Sequence, residues 1–292
     1  MFVSSPLPLI HSLDDLAYSG QAVIGLTVLA NRIYVIRPSS HDIEVYHAQY
    51  FSPLPPLTLL HLMTPMLVPS ASELSSCAKS QTLYVADAAN SYVYRIDTEG
   101  RLLYHWKLPQ NFTGLSVTDI GTVLAGSGSR IIEYDQSGKT LRTIGRSALC
   151  NKVGSRRRSG VVVDTPRHFV RQASGGIVAC DWKVQGSNHV VYEIDDRGQM
   201  VSYFGGEPGY GDAELNEPCC LATAPLDHVV VADRVNGRIK LLDSGLNFVR
   251  NLVDRHQLGG GGQPNRLSLD VGTGRLYVGM TDGRIHVYRT IF

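Results

Sequence analysis

The sequence lacks the features that mark several classes of protein. Its five cysteines are odd in number and have no metal-ligand spacing, and Cys219 and Cys220 are neighbours, which argues against both a disulfide framework and a zinc site. The net charge of +1 gives no general attraction to nucleic acid or membranes. The most apolar stretch, residues 53–69, is broken by five prolines and is too short to span a bilayer. We therefore expect free, packed cysteines and no membrane partner.

Motifs for catalysis and targeting are also missing. The ten histidines are scattered singly, and no His-x-His, His-Glu-x-x-His, Gly-x-Ser-x-Gly, phosphate-loop or dinucleotide pattern occurs. The first residues have neither a basic start nor a sustained apolar run, so a signal peptide is not indicated and a cytoplasmic location is expected. The sequence predicts a protein that is not an enzyme, with no catalytic residue, no metal and no cofactor.

What the sequence does contain is an internal repeat of short alternating strands. Val, Ile, Leu and Tyr alternate with polar residues, and Gly, Asn, Asp or Ser occupies the turns, which is typical of antiparallel β-strands. Six copies occur, at residues 33–47, 83–97, 122–135, 177–195, 229–243 and 276–289. The residues that end the first strand of each copy are Arg37, Asp87, Gly126, Asp181, Asp233 and Met280. No segment keeps a helical period for long, so helix is expected to be scarce.

Further short strands flank these pairs. They lie upstream in segments such as residues 73–78 and 220–225, and downstream in segments such as 102–108 and 248–253. Four strands per unit and six units predict an all-β, six-bladed β-propeller that forms a single domain over residues 1–292. The last unit lacks its fourth strand, and the apolar run 7–13 has no unit of its own. We predict that this run supplies the missing strand and closes the ring.

Residues 203–253 resemble an NHL repeat. They contain a Gly-rich entry, Asn216-x-Pro218 before the inner strand, a strand ending in Val-Ala-Asp233, and then Asn236-x-Arg238-Ile. Residues 83–97 are similar, with Asp87, Asn90 and Arg95-Ile-Asp, whereas the other four units are degenerate. The resemblance implies a propeller like the C-terminal domain of TRIM-NHL ubiquitin ligases, where such propellers bind RNA or protein. It implies either the substrate-recognition part of such a ligase or a propeller that stands alone.

The aspartates at 87, 181 and 233 have two interpretations. Each ends a strand, so its carboxylate can accept backbone N–H bonds in the next turn. Alternatively, the three carboxylates converge on the central channel and bind a cation, which would fit a metal-dependent propeller hydrolase or lyase. The structural interpretation is favoured, because the other three units carry Arg37, Gly126 and Met280 at this place.

The strongest local feature is a basic segment. Nine Lys and Arg residues lie between Lys139 and Arg171, and only Asp164 opposes them. The segment runs from the outer strand of the third unit through the loop into the fourth. In a propeller, that loop shares a face with the turns between second and third strands.

This face is the predicted ligand-binding site. The basic segment contributes Arg142, Arg146, Lys152, Arg156, Arg157, Arg158 and Arg167, and other loops bring Tyr92, Trp182, Arg234, Asn236 and Arg238. Arginines mixed with aromatic residues suit phosphate contacts and base stacking, so single-stranded RNA is one predicted partner. An acidic protein surface, in a purely protein-binding module, is the second. A solvated basic loop without a partner is the third interpretation, and the sequence does not indicate an oligomeric state.

Overall fold

A computed structural model of the chain describes residues 6–13, 20–38, 40–58, 71–145, 165–182, 188–195 and 197–290. These residues form twenty-four strands in six antiparallel sheets of four strands each. The one helical element among them is a turn of 3-10 helix at Pro225–Asp227. The predicted six-bladed β-propeller is confirmed, as is the near absence of helix.

Each sheet is one blade, and its strands are labelled A to D from the channel outwards. Blade 1 consists of β2 (Gly25–Leu29), β3 (Arg32–Ile36), β4 (Asp42–His47) and β5 (Pro53–Thr58). Blade 2 consists of β6 (Ala71–Cys77), β7 (Thr82–Asp87), β8 (Tyr92–Asp97) and β9 (Leu102–Lys107). Blade 3 consists of β10 (Phe112–Val117), β11 (Val123–Ser127), β12 (Arg130–Tyr134) and β13 (Thr140–Ile144). Blade 4 consists of β14 (Pro166–Arg171), β15 (Ile177–Asp181), β16 (His189–Ile194) and β17 (Met200–Gly206). Blade 5 consists of β18 (Pro218–Thr223), β19 (Val229–Asp233), β20 (Arg238–Leu242) and β21 (Phe248–Val253). Blade 6 consists of β22 (Pro264–Asp270), β23 (Arg275–Met280), β24 (Ile285–Arg289) and, as its D strand, β1 (Leu9–Leu13).

The six A strands stand side by side around a central channel, and each contacts the next, including β22 against β2. They run in the same direction, because every blade repeats the same A-to-D order. We call the end of the channel where the A strands begin, together with the B–C turns, the entry face. The end where the A strands finish, together with the A–B turns, is the exit face. This geometry defines two separate surfaces for binding.

The first and last strands of the chain close the ring. Strand β1 pairs antiparallel with β24, so that Leu9 lies opposite Tyr288 and Leu13 lies opposite Ile285. Just before β1, the Leu7 N–H donates to the Leu252 carbonyl of blade 5 at 2.8 Å. The predicted pairing of residues 7–13 with the end of the chain is confirmed.

Two details of the blades differ from the sequence-based expectation. Strand β5 contains three prolines and lies in the proline-rich apolar stretch 53–69, where the sequence does not predict a strand. It lies at the outer edge of blade 1, where a missing N–H breaks no ladder on the solvent side. In blade 3, Ser127 rather than Gly126 occupies the position of Asp87, because Ser127 pairs with the first residue of its A strand as Asp87 does.

Arg37 joins the first blade to the last. It occupies the place that Asp87 and Asp233 hold in their blades, and only 1% of its surface is exposed. Its Nε donates to Glu44 at 2.7 Å, and its Nη1 donates to the Gln21 and Gly283 carbonyls, each at 2.9 Å. Gly283 belongs to the B–C turn of blade 6. Arg37, held by its ion pair with Glu44, therefore connects blade 1 to blade 6 at the point where the ring closes.

Replacing Leu7 should show how much the ring depends on the N-terminal segment. Leu7 is 3% exposed, whereas Leu9, two residues away, is 47% exposed. We expect Leu7→Ala to lower the free energy of unfolding by about 2–5 kcal/mol, because it leaves a cavity in the core. Leu9→Ala should change it by less than about 1 kcal/mol. Urea unfolding followed by fluorescence measures both, and equal losses would contradict the role of Leu7.

A second pair of variants tests the ion pair at the blade 1–blade 6 boundary. Arg37→Met leaves the Glu44 carboxylate buried without its cation, and we expect a loss of about 3–5 kcal/mol. Arg32→Met removes the exposed Arg32–Glu99 pair, whose atoms lie 3.1 Å apart, and should cost less than about 1 kcal/mol. Thermal and urea unfolding of the three proteins distinguish the two cases, and a small effect of Arg37→Met would refute the assignment.

Candidate binding site at the entry face

The structure brings three of the predicted site residues together at the entry face. Trp182 follows β15 in the B–C turn of blade 4, and Arg234 follows β19 in the B–C turn of blade 5. Arg167 is the second residue of β14, the A strand of blade 4. These positions coincide because an A strand begins where the neighbouring B strands end.

The two arginines contact the same indole. The guanidinium carbon of Arg167 lies 4.7 Å from the centroid of the Trp182 ring, and that of Arg234 lies 5.3 Å from it. Trp182 is 9% exposed, so the ring is a buried support for the two cations. A cation over an indole is attracted by the negative face of the ring, by roughly 0.5–2 kcal/mol. We call Arg167, Trp182 and Arg234 the Arg-Trp-Arg cluster.

The cluster carries more positive than negative charge. Glu217, in the loop before β18, forms an ion pair with the Nη2 of Arg234 at 2.9 Å. Among the described residues, no carboxylate lies within ion-pair distance of Arg167. The Nε atoms of both arginines are buried and make no hydrogen bond to the described part of the chain. The cluster therefore has unused donors and a surplus cation.

Asn236 and Arg238 are close to the cluster in sequence but serve the fold. The Asn236 amide donates to Asp233 and to the Gly209 carbonyl, each at 2.8 Å. Arg238 donates to Asp233 at 2.7 Å and to three carbonyls of the preceding loop, those of Tyr210, Gly211 and Glu214. These donors hold the loop 207–217 against blade 5.

The aspartates that end the B strands have the structural role that was favoured. Asp87 accepts the Asn90 N–H at 3.0 Å and the Asn90 side-chain amide at 2.7 Å. Asp181 accepts the Thr165 N–H at 3.1 Å, and Asp233 accepts the Asn216 N–H at 2.7 Å. Each carboxylate thus fixes a turn or the loop that leads into its own blade.

Two further predicted site residues that the structure describes do not join the cluster. Arg142 lies on β13, the outer strand of blade 3, and its Nε donates to Glu133 at 2.7 Å. Tyr92 lies in blade 2, where its ring stacks on Tyr94 at 6.1 Å between centroids. The remaining members of the basic segment lie outside the described residues, namely Arg146, Lys152, Arg156, Arg157 and Arg158.

Sequence reasoning missed a group of polar residues inside the channel. Glu73, His168, Cys220 and Arg266 occupy the same register position in four different A strands. The Nε of Arg266 lies 3.1 Å from the Glu73 carboxylate, and blade 1 stands between the two blades that they belong to. Burial raises the pKa of Glu73 to about 7, although the charge of Arg266 opposes that shift. Each of the four residues lies two positions after the first residue of its A strand, just past a β-bulge. This shared position is the sequence signal that identifies the group.

His168 makes the one contact in the channel that resembles a catalytic pair. Its Nε2 lies 3.5 Å from the Ser116 hydroxyl, and its Nδ1 accepts the Leu221 N–H at 3.3 Å. A neutral imidazole that accepts at Nδ1 carries its proton on Nε2, so Nε2 has no lone pair with which to deprotonate the serine. Burial, together with the charge of Arg266, lowers the pKa of His168 to about 3. This histidine therefore serves as a neutral hydrogen-bonding group.

The cysteines are free, as expected from their number and spacing. Cys77, Cys180, Cys219 and Cys220 are buried and unpaired by disulfides, and Cys150 lies outside the described residues. Burial raises the pKa of Cys219 to about 12 and that of Cys220 to about 11, so these thiols are weak nucleophiles. In the described part of the chain, no cluster of three or more His, Cys, Asp or Glu side chains is arranged to hold a metal ion. The same residues contain no helix long and apolar enough to cross a membrane.

Comparisons with known proteins show the fold and nothing finer. No model of a protein family matches the chain, and no curated protein matches it by sequence. A crystal structure of a protein of unknown function from Bacteroides caccae superposes with a TM-score of 0.58 at 15% identity, covering 85% of this chain and 81% of that one. At this identity the similarity supports the fold alone. The chain is a six-bladed β-propeller, and its likeness to NHL repeats remains a prediction.

The depressed pKa of His168 predicts a pH dependence of stability. The unfolded chain protonates this residue below about pH 6.5, whereas the folded chain resists protonation until about pH 3. The contribution is complete above about pH 6.5 and is lost as the pH falls, by up to about 1.4 kcal/mol per pH unit. We expect wild type to lose more stability than His168→Gln between about pH 7.5 and about pH 5 in urea unfolding.

The comparison of variants isolates this residue. Other titrating groups, Glu73 among them, are present in both proteins, so their contributions largely cancel. His256→Gln, at an exposed position, is the matched control and should keep the wild-type dependence. Parallel stability curves for wild type and His168→Gln would show that the imidazole is protonated in the folded state.

Proposed function

We propose that this propeller is a non-catalytic binding scaffold that recognises an acidic segment of a partner protein at its entry face. The observation that carries the proposal is the Arg-Trp-Arg cluster, in which two guanidinium groups share one ring and Glu217 is the one carboxylate among the described residues that pairs with them. Holding like charges together costs free energy unless an anion compensates them. An incoming carboxylate supplies that compensation.

The chemistry of the cluster suits a carboxylate. The N–H groups of a guanidinium lie in its own plane, so they stay free at its edge when its face rests on an aromatic ring. There they can bind a carboxylate with two parallel hydrogen bonds. Arg167 is available for such a contact, since no described acidic residue pairs with it. Trp182 holds the group in place, which lowers the entropy lost on binding.

A neighbouring aromatic residue adds a second contact. Tyr210 is 74% exposed and lies in the loop 207–217, whose last residue, Glu217, pairs with Arg234. Arg238 fixes the backbone of this loop through the Tyr210 carbonyl at 2.8 Å. An exposed tyrosine on an anchored loop is typical of the residues that contribute most to protein–protein binding.

The described residues favour a protein over single-stranded RNA. RNA binding draws on a row of phosphate contacts and on open aromatic faces for base stacking. Here Arg142 and Arg238 are engaged by carboxylates within the fold, and Trp182 is buried between arginines. One compact cationic cluster on a chain of net charge +1 fits a short acidic peptide better.

A finer form of the proposal follows from the NHL resemblance. As the propeller of a TRIM-type ubiquitin ligase, the chain would present the acidic partner as a substrate, and catalysis would belong to other domains. The Asp87–Asn90 and Asp233–Asn236–Arg238 contacts support this form, since they join the residues on which the resemblance depends.

Fluorescence anisotropy with two labelled probes tests the proposal. One probe is an oligoglutamate peptide, and the other is an oligouridylate of equal length, each measured at about 50 mM salt and again at higher salt. We expect the peptide to bind more tightly. Arg167→Gln should weaken peptide binding about tenfold or more, because a charge-assisted contact is lost.

Arg197→Gln is the matched control, because Arg197 lies in the C–D turn of the same blade, at the exit face. It should leave peptide binding unchanged, and circular dichroism should show both variants folded. Tighter binding of the oligouridylate would replace the protein partner with RNA. Equal affinities of wild type and Arg167→Gln for the peptide would remove the cluster from the site.

A further inference from the structure

The central channel contains a cavity on its exit-face side, away from the Arg-Trp-Arg cluster at the entry face. Its volume is about 210 Å³, and all six A strands contribute to its wall. It extends from the level of Leu26 and Leu74 to Asp119 and Val271, which lie in A–B turns of the exit face. The cavity reaches the register level of the Glu73–Arg266 pair at His168, and neither member of that pair lines it. The cavity is therefore separate from the proposed partner site.

Hydroxyl groups dominate the polar part of the wall. They belong to residues from five of the six blades, namely Thr27, Ser75, Ser76, Ser116, Thr223 and Ser268. These residues alternate along the A strands with the apolar side chains that pack the blades against one another. The hydroxyls make the cavity a polar compartment within an apolar ring.

Several of these hydroxyls have hydrogen-bonding capacity to spare. Ser75 accepts the Val117 N–H at 3.0 Å, and Ser116 accepts the Phe169 N–H at 3.3 Å. A hydroxyl that accepts one bond still has its own proton to donate. The side-chain hydroxyls of Thr223 and Ser268 make no hydrogen bond to any other residue that the structure describes. The wall thus offers both donors and acceptors to a guest.

The cavity has almost no charge. Asp119, in an exit-face turn, is the one ionisable side chain in the wall besides His168. His168 accepts at Nδ1 and is neutral, as argued above. An anionic guest would lose its hydration and meet the acidic Asp119 instead of an opposite charge. Apolar side chains such as Leu221, Phe169 and Leu267 lie between the hydroxyls and are almost fully buried in the packing between blades.

We infer that this cavity binds one small neutral polyhydroxy compound, the size of a single sugar ring or a cyclic polyol. Such a molecule both donates and accepts hydrogen bonds around its rim and presents C–H groups on its faces. The volume is that of about seven water molecules and lies below the roughly 300 Å³ at which pockets for drug-sized ligands begin. An oligosaccharide would therefore not fit inside.

Isothermal titration calorimetry of the full chain tests this inference, with D-glucose and myo-inositol as probes and gluconate as the charged counterpart. Polyols at high concentration stabilise many proteins by exclusion from their surfaces, so a thermal shift alone is not a sufficient readout. We expect saturable binding of at least one neutral probe at a stoichiometry of one, and none of gluconate. Absence of heat from both neutral probes would overturn the inference, and so would equal binding of gluconate.

Two variants locate the site. Thr223→Val and Ser268→Ala each remove a hydroxyl without changing the backbone, and each should weaken binding about three- to tenfold. Thr273→Val is the matched control, because Thr273 is exposed in the exit-face turn of blade 6 and does not line the cavity. Weakening by the control, or none by the first two variants, would place the ligand elsewhere. Arg167→Gln should leave this binding unchanged, so the two proposals can fail independently.

Discussion

The propeller depends on one pairing, that of Leu9–Leu13 with Ile285–Arg289. Without it, blade 6 has three strands and β24 presents an open edge, which can pair with another chain. Closure also brings β22 against β2, so that all six A strands surround one channel. The channel cavity needs this arrangement, because its wall is formed by all six A strands. Pairing between residues far apart in sequence thus determines the geometry of the cavity.

The unequal blades show how a repeat fold tolerates divergence. Asp87 and Asp233 fix their turns with a carboxylate, whereas blade 1 has Arg37 at this place and uses its guanidinium to reach blade 6. Blade 3 has Gly114 at the position where blades 2, 4 and 6 carry Glu73, His168 and Arg266. A side chain cannot be added there, because a Cβ would collide with the Arg167 carbonyl. Divergence at equivalent positions therefore produces different contacts on the same backbone.

The two faces of the ring have distinct electrostatic character. The entry face holds a surplus cation on an aromatic support, and the exit face opens into a cavity lined by hydroxyls. The Glu73–Arg266 ion pair lies between the two faces and connects blade 2 to blade 6, on either side of blade 1. The two proposed sites are therefore separate, so their proposed ligands would not compete with each other.

The sequence by itself determined the fold, since alternation of apolar and polar residues is local and recurs six times. It also indicated closure by residues 7–13, because the last unit was one strand short. The proline-rich β5 escaped prediction, since only an edge position makes its prolines acceptable. Tertiary structure decided which arginines are available: Arg142, Arg238 and Arg234 pair with carboxylates, whereas Arg167, which contacts Trp182, has no carboxylate partner among the described residues. Spacing along the chain does not encode that difference, because the partners of each arginine come from separate strands and blades.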